Sequence, residues 1–157
     1  MPDIEWDERA SAEANARQKL PTLVREYFAE VRGFLAKNPT PEKLHRLRLA
    51  TKRLRYTLEL FRPCYGRGLE IRIAELRKMQ QLLGNINDRV AAGKLVAKAM
   101  HSSPRRTQVR ELLAARAGQK AREFRKHWTT VFDAPGRERW WISYLRRAKA
   151  KTARRLR

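Results

Sequence analysis

The stretch PEKLHRLRLATKRLRYTLELFR, residues 41–62, decides the fold, because its apolar residues recur at helical and not at strand spacing. At about 100° per residue, Leu44, Leu47, Ala50, Thr51, Leu54, Leu58 and Phe61 share one broad face, the stripe expected to meet a core. Thr40 is placed to cap this helix, with Pro41 at its first position and Glu42 in its first turn. Pro63-Cys64-Tyr65-Gly66-Arg67-Gly68 ends it. Beside the apolar face run His45, Arg48, Lys52, Arg55 and Glu59, at spacings that confine them to a sector of roughly 80°. Beyond that sector come Leu49, Tyr56 and Leu60, and then Arg46, Arg53 and Thr57, which are expected to look outward.

A cationic stripe lying between two apolar strips is expected to point into a groove and not into open solvent. Cations stacked one turn apart and partly shielded from water repel one another unless an anion neutralises them. Repeating at about 5.4 Å per turn, such a row can follow a linear chain of phosphates. The competing expectation is that these side chains snorkel, with stems over apolar neighbours and heads in water.

Working outward, the rest of the chain also reads as helices between clear breaks. A first helix is expected from about Arg9 to Lys37, with Leu20, Leu23, Val24, Tyr27, Phe28, Val31, Phe34 and Leu35 on its apolar face. Pro21 is expected to kink it or to mark where its regular part begins. A third helix is expected from Leu69 to Leu83, with Gly84-Asn85 as a stop or bend, and a fourth from Asn87 to Met100. A fifth, from Arg105 to about Phe132, is followed by the turn Asp133-Ala134-Pro135-Gly136. The expectation is an all-α antiparallel bundle of four to five long helices over residues 1–135. Residues 136–157 then form a basic C-terminal helix or tail, packed on the bundle or extending from it.

Charge narrows the function. The 157 residues carry 37 Lys and Arg against 16 Asp and Glu, a formal +21. Residues 1–30 hold seven acids and four bases, a net −3, which leaves +24 on residues 31–157. Charge of that size repels itself and favours polyanions through counterion release. One cysteine, Cys64, excludes an intramolecular disulfide framework and any multi-thiolate metal site. Met1 to Arg17 has no apolar run and carries several acids, unlike a signal peptide, and no window approaches the ~20 apolar residues of a membrane span. A cytoplasmic protein is expected.

Two segments carry a resemblance. Leu44-His45-Arg46-Leu47-Arg48-Leu49-Ala50-Thr51-Lys52-Arg53-Leu54-Arg55-Tyr56 is followed by Leu76-Arg77-Lys78-Met79-Gln80-Gln81-Leu82-Leu83-Gly84-Asn85-Ile86-Asn87-Asp88. In this order they resemble the two signature motifs of the CHAD family, the conserved histidine α-helical domains, over roughly Leu20 to Phe132. The resemblance implies non-catalytic binding of inorganic polyphosphate by basic helical surfaces, and association with polyphosphate granules in some members. It assigns the binding to His45, Arg48, Lys52, Arg53, Arg55 and Arg77. It leaves Gly84 and Asp88 structural: Gly84 for a bend or close helix approach, and Asp88 as a cap or a partner for an Arg. The family domain usually holds two such repeats around a central cavity, and this chain has one. The expectation is a twofold homodimer that rebuilds the cavity, with Trp140-Trp141 packing either that interface or the chain's own core.

Nucleic acid is the alternative polyanion. Residues Glu138 to Arg157 place eight bases against one acid, with Trp140, Trp141 and Tyr144 interleaved, a composition able to stack bases and hold phosphates. No nucleic-acid signature accompanies it. Catalysis is not expected: His45, His101 and His127 lack metal-ligand spacing, no nucleophile or phosphate-loop motif occurs, and Glu59 stands alone on the cationic face. No metal, cofactor or membrane partner is expected.

Overall fold

A computed structural model describes residues 4–37, 40–100 and 104–148. Among them are five α-helices and no strand: α1 (Ala12–Leu35), α2 (Pro41–Leu60), α3 (Arg67–Ala99), α4 (Arg106–His127) and α5 (Arg137–Leu145). A single 3-10 turn, Arg62–Cys64, joins α2 to α3, and a π-helical turn, Trp128–Phe132, ends α4. The all-α bundle read from the periodicity is the observed fold.

The helix starts follow the expected chemistry. Ser11 accepts a hydrogen bond from the Ala14 N–H at 3.2 Å, and Thr40 one from the Lys43 N–H at 3.3 Å, each filling an orphan donor of a first turn. The α1 helix therefore begins at Ala12 and not Arg9, and it runs on through Pro21, whose side chain is buried.

Cross-helix pairs give the topology. Tyr27 meets Thr51 while Phe34 lines a groove with Leu47, and Arg55 meets Gln80 while Arg77 meets Glu59, so α1 is antiparallel to α2 and α2 to α3. Phe34 packs edge-on to Phe124 and Phe28 against Trp128, which makes α4 antiparallel to α1. The fourth column is divided. The end of α4 covers one part of the bundle, and after the turn at Gly136 the α5 helix covers the other, through buried Trp141 and Leu145. Gly136 has φ +84°, a left-handed conformation that favours glycine.

The α3 helix spans 33 residues and overruns the bundle. Gly84 and Asn85 neither stop nor bend it, so the expected third and fourth helices are one. Among the described residues, none of α3 beyond Ile86 and none of α4 before Phe124 is buried. The outer halves of these helices form a two-helix arm.

Two polar features hold the core in register. The Thr51 hydroxyl donates to the Leu47 carbonyl at 2.8 Å, so at 2.9 Å the fully buried Tyr27 hydroxyl is the donor to Thr51. At the other end Arg72, 2% exposed, donates to the carbonyls of Gly68 and Trp140, with its guanidinium 3.3 Å from the Trp140 ring centroid and 3.9 Å from that of Tyr144. Burial lowers its pKa to about 10, which leaves it charged at neutral pH. Gly68 is required there, since a Cβ would lie 2.6 Å from the Tyr144 ring.

Thr51→Val strands the Tyr27 hydroxyl in the core and should cost about 1–3 kcal/mol, whereas Tyr27→Phe should cost about 1 kcal/mol. The double variant should be no less stable than Thr51→Val, because it removes the orphaned group. Urea denaturation checks this; additive losses would show that the two hydroxyls are not partners.

Candidate polyanion-binding trough

The apolar face of α2 is where it was expected, with Leu44, Leu47, Ala50, Thr51, Leu54 and Leu58 buried. That burial turns His45, Arg48, Lys52 and Arg55 toward the flank of α2 that borders α3. Arg48 and Arg55 are half-buried, while His45 and Lys52 are exposed. The Arg48 Nε is shut off from water without a partner among the described residues. Arg55 lies 4.2 Å from the Tyr56 ring centroid and the Lys52 ammonium 5.6 Å from it, so both cations share one aromatic ring.

The two segments that carried the resemblance face each other. Arg55 donates through Nε to Gln80 Oε1 at 3.0 Å, and Arg77 donates to Glu59 at 3.1 Å. Continuing that antiparallel register places Lys52 level with Gly84, and Arg48 level with Asn87. A Cβ on Gly84 would meet nothing within 4 Å, so there is open space beside this turn of α3. Gly84 therefore provides neither a bend nor a close helix approach. Asp88 caps no helix either; it is an exposed residue within α3.

Glu59 divides the trough in two. One carboxylate oxygen, Oε1, accepts from Arg55 at 2.8 Å and from Arg77 at 3.1 Å, with Arg62 at 3.9 Å. The end bearing Arg55 and Arg77 thus already holds an anion of its own. Toward the start of α2, His45, Arg48 and Lys52 have no acid in ion-pair contact among the described residues. Glu42, one turn before Arg46, has its carboxyl held below the usual range by its own backbone N–H and the Thr40 hydroxyl.

Three expectations need correction. Thr57 is buried, 8% exposed, and not outward. Arg46 is exposed, as expected, while Arg53 is half-buried, and both line a groove on the opposite flank, between α1 and α2. Arg53, assigned to the site with the other five residues, is thereby separated from them. Leu49, Tyr56 and Leu60, at 51%, 44% and 77% exposed, form an open crest and not the far wall of an enclosed groove. Gln80, which was not among the expected site residues, holds Arg55 in place; its position one turn from Arg77 was the available signal.

The aromatics of the C-terminal segment are occupied. Trp141 is fully buried, Tyr144 stacks on Tyr65 at 5.5 Å, and Trp140 carries the guanidinium groups of Arg72 and Arg137. Trp141 belongs to the chain's own core, whereas Trp140 remains 36% exposed. The basic residues expected to contribute from 149 to 157, like His101, lie outside the described residues. Among the described residues no cluster of three or more His, Cys, Asp or Glu could hold a metal ion, and no helix is long and apolar enough to cross a membrane.

Paired antiparallel helices, one bearing the His45–Arg55 stripe and the other Arg77, Gln80 and Gly84, define the class: a helical bundle with a cationic interhelical trough. The chain matches the CHAD domain over residues 3–97, more than half its length, and belongs to that family, which is associated with polyphosphate binding. The match stops near the end of α3, short of α4 and α5. No curated protein and no solved structure matches the chain.

Gly84 is helical and has open space around it, so Gly84→Ala should raise stability by about 0.5–1 kcal/mol through helix propensity alone. A thermal melt checks it; a loss of stability would restore a structural need for glycine.

Proposed function

We propose that this chain binds inorganic polyphosphate without catalysis, along the trough between α2 and α3. The observation that carries the proposal is the run His45, Arg48, Lys52, an imidazole and two cations in successive turns of one flank with no acid paired to them among the described residues. Arginine supplies planar, bidentate contacts to phosphate oxygens and lysine a compact charge. Arg55 and Arg77 extend the run where a phosphate chain displaces Glu59. Nothing at the site resembles the paired carboxylates that a metal-assisted phosphohydrolase uses, which supports binding over turnover. A place at cytoplasmic polyphosphate granules is consistent with that role.

Titration with long-chain polyphosphate near physiological salt tests it, with RNA and duplex DNA of equal phosphate concentration as competitors. Arg48→Ala with Lys52→Ala should weaken polyphosphate binding by about tenfold or more. Arg110→Ala with Arg116→Ala, an exposed pair on the α3–α4 arm, removes the same charge and should change it far less. Glu59→Gln should strengthen binding, because it frees Arg55 and Arg77 from their internal anion. Equal losses from both double variants, or equal affinity for all three polymers, would replace the trough with bulk charge and bring nucleic acid forward.

Pairing of two chains belongs to the same proposal. Its support is the arm, whose half-covered Val96, Val109 and Leu113 lie beyond the main core. Light scattering should give the mass of two chains at micromolar concentration, and a single-chain mass with and without polyphosphate would remove the idea.

A further inference from the structure

The opposite flank of α2 carries a second cationic site of different character. Between α1 and α2 lies a groove of about 520 Å³, a volume typical of small-molecule sites. Its apolar surface comes chiefly from Phe34 and Leu49, its cations are Lys37, Lys43, Arg46 and Arg53, and Glu30 adds one carboxylate. Leu49 is 51% exposed, so water covers a leucine at the lip of this groove. The ammonium groups of Lys37 and Lys43 have no hydrogen bond or ion pair among the described residues, and Arg46 lies in the field of Glu42.

The two flanks differ in what they offer a ligand. The α3-facing trough presents cations over one aromatic ring and suits a ligand that is phosphate throughout. The α1-facing groove combines cations with apolar surface that inorganic phosphate cannot use. Covering Leu49 and Phe34 requires an apolar or aromatic body, and satisfying Lys43 and Arg46 requires an anion attached to it.

We propose that the α1–α2 groove binds a phosphate ester with an apolar or aromatic body, of nucleotide size, independently of the α2–α3 trough. The phosphates lie against Lys37, Lys43 and Arg46, and the body lies over Leu49 and Phe34.

Calorimetric titrations compare ATP with tripolyphosphate and hexyl phosphate with inorganic phosphate, so that each ester has a counterpart lacking the apolar body. At least one ester should bind about tenfold more tightly than its counterpart, as expected from covering some 60 Å² of apolar surface. An advantage for ATP alone identifies the body as a nucleobase, and one for hexyl phosphate as an alkyl chain. Leu49→Asn, at a half-exposed position, should abolish the advantage and leave tripolyphosphate binding unchanged. Arg46→Glu, also outside the core, should weaken both esters. Arg48→Ala with Lys52→Ala should leave the advantage intact while reducing polyphosphate binding, which separates this site from the trough. Equal affinity of both esters and their counterparts, or an advantage that survives Leu49→Asn, would overturn the proposal.

Discussion

The rotation of α2 about its own axis is the constraint on which both flanks depend, and the Tyr27–Thr51–Leu47 chain of hydrogen bonds holds it. A leucine face tolerates some rolling, because dispersion contacts are numerous and individually weak. A buried phenol donating to a buried hydroxyl at 2.9 Å is not so tolerant, since a small roll leaves a donor without an acceptor. Burial pushes the Tyr27 phenol pKa up, so it stays a neutral donor at any physiological pH. With Thr51 turned toward α1, Arg48, Lys52 and Arg55 must lie on the α3 flank, and Lys43, Arg46 and Arg53 on the α1 flank.

Charge is managed locally. In the α5 region, Arg32 pairs with Asp133 and Glu138 at 2.5 and 2.7 Å, and Arg137 pairs with Glu75. There Arg72 is accommodated without a carboxylate in contact, its charge resting on Trp140 and Tyr144 and on two carbonyls. Several acids thus serve where helices join, and Glu59 closes one end of the trough. The start of α2 carries Glu42, which is engaged at the helix terminus, and Glu30 of α1 lines the groove on its other flank. An excess of +21 distributed in this way leaves His45, Arg48 and Lys52 without an acid in ion-pair contact among the described residues, and cations of that kind favour an external anion.

Much of this was legible in the sequence because burial follows period. The leucines of α2 and the aromatic face of α1 are buried in the order the 3.6-residue repeat dictates, and Thr40, Pro41 and Glu42 start α2 as their chemistry requires. The failures share a cause: a wheel shows one helix without its neighbours. Thr57 is buried because α2 has partners on two sides, so its covered arc is wider than the leucine stripe. Gly84 does not break α3, because one glycine costs a helix about 1 kcal/mol, which packing against α2 and α4 on either side of that position offsets. The aromatic run at Trp140–Tyr144 was ambiguous between a stacking surface and a core. Only the position of Arg72 on a distant helix resolves it, and that relation has no local signature.

The crest formed by Leu49, Tyr56 and Leu60 explains why the two flanks are chemically distinct. Were those positions charged, α2 would present one continuous cationic surface, and any polyanion could lie across it in many registers with similar energy. Three large apolar side chains break that surface into two edges. A phosphate chain crossing the crest would leave its hydration shell against Leu49 or Leu60 without a cation to replace it, a desolvation cost with no return. Binding along the proposed trough would therefore keep the chain to one edge. Tyr56 alone serves both purposes, separating the edges while its ring supports Lys52 and Arg55, so the residue that divides the surface also steadies the cations on one side of the division.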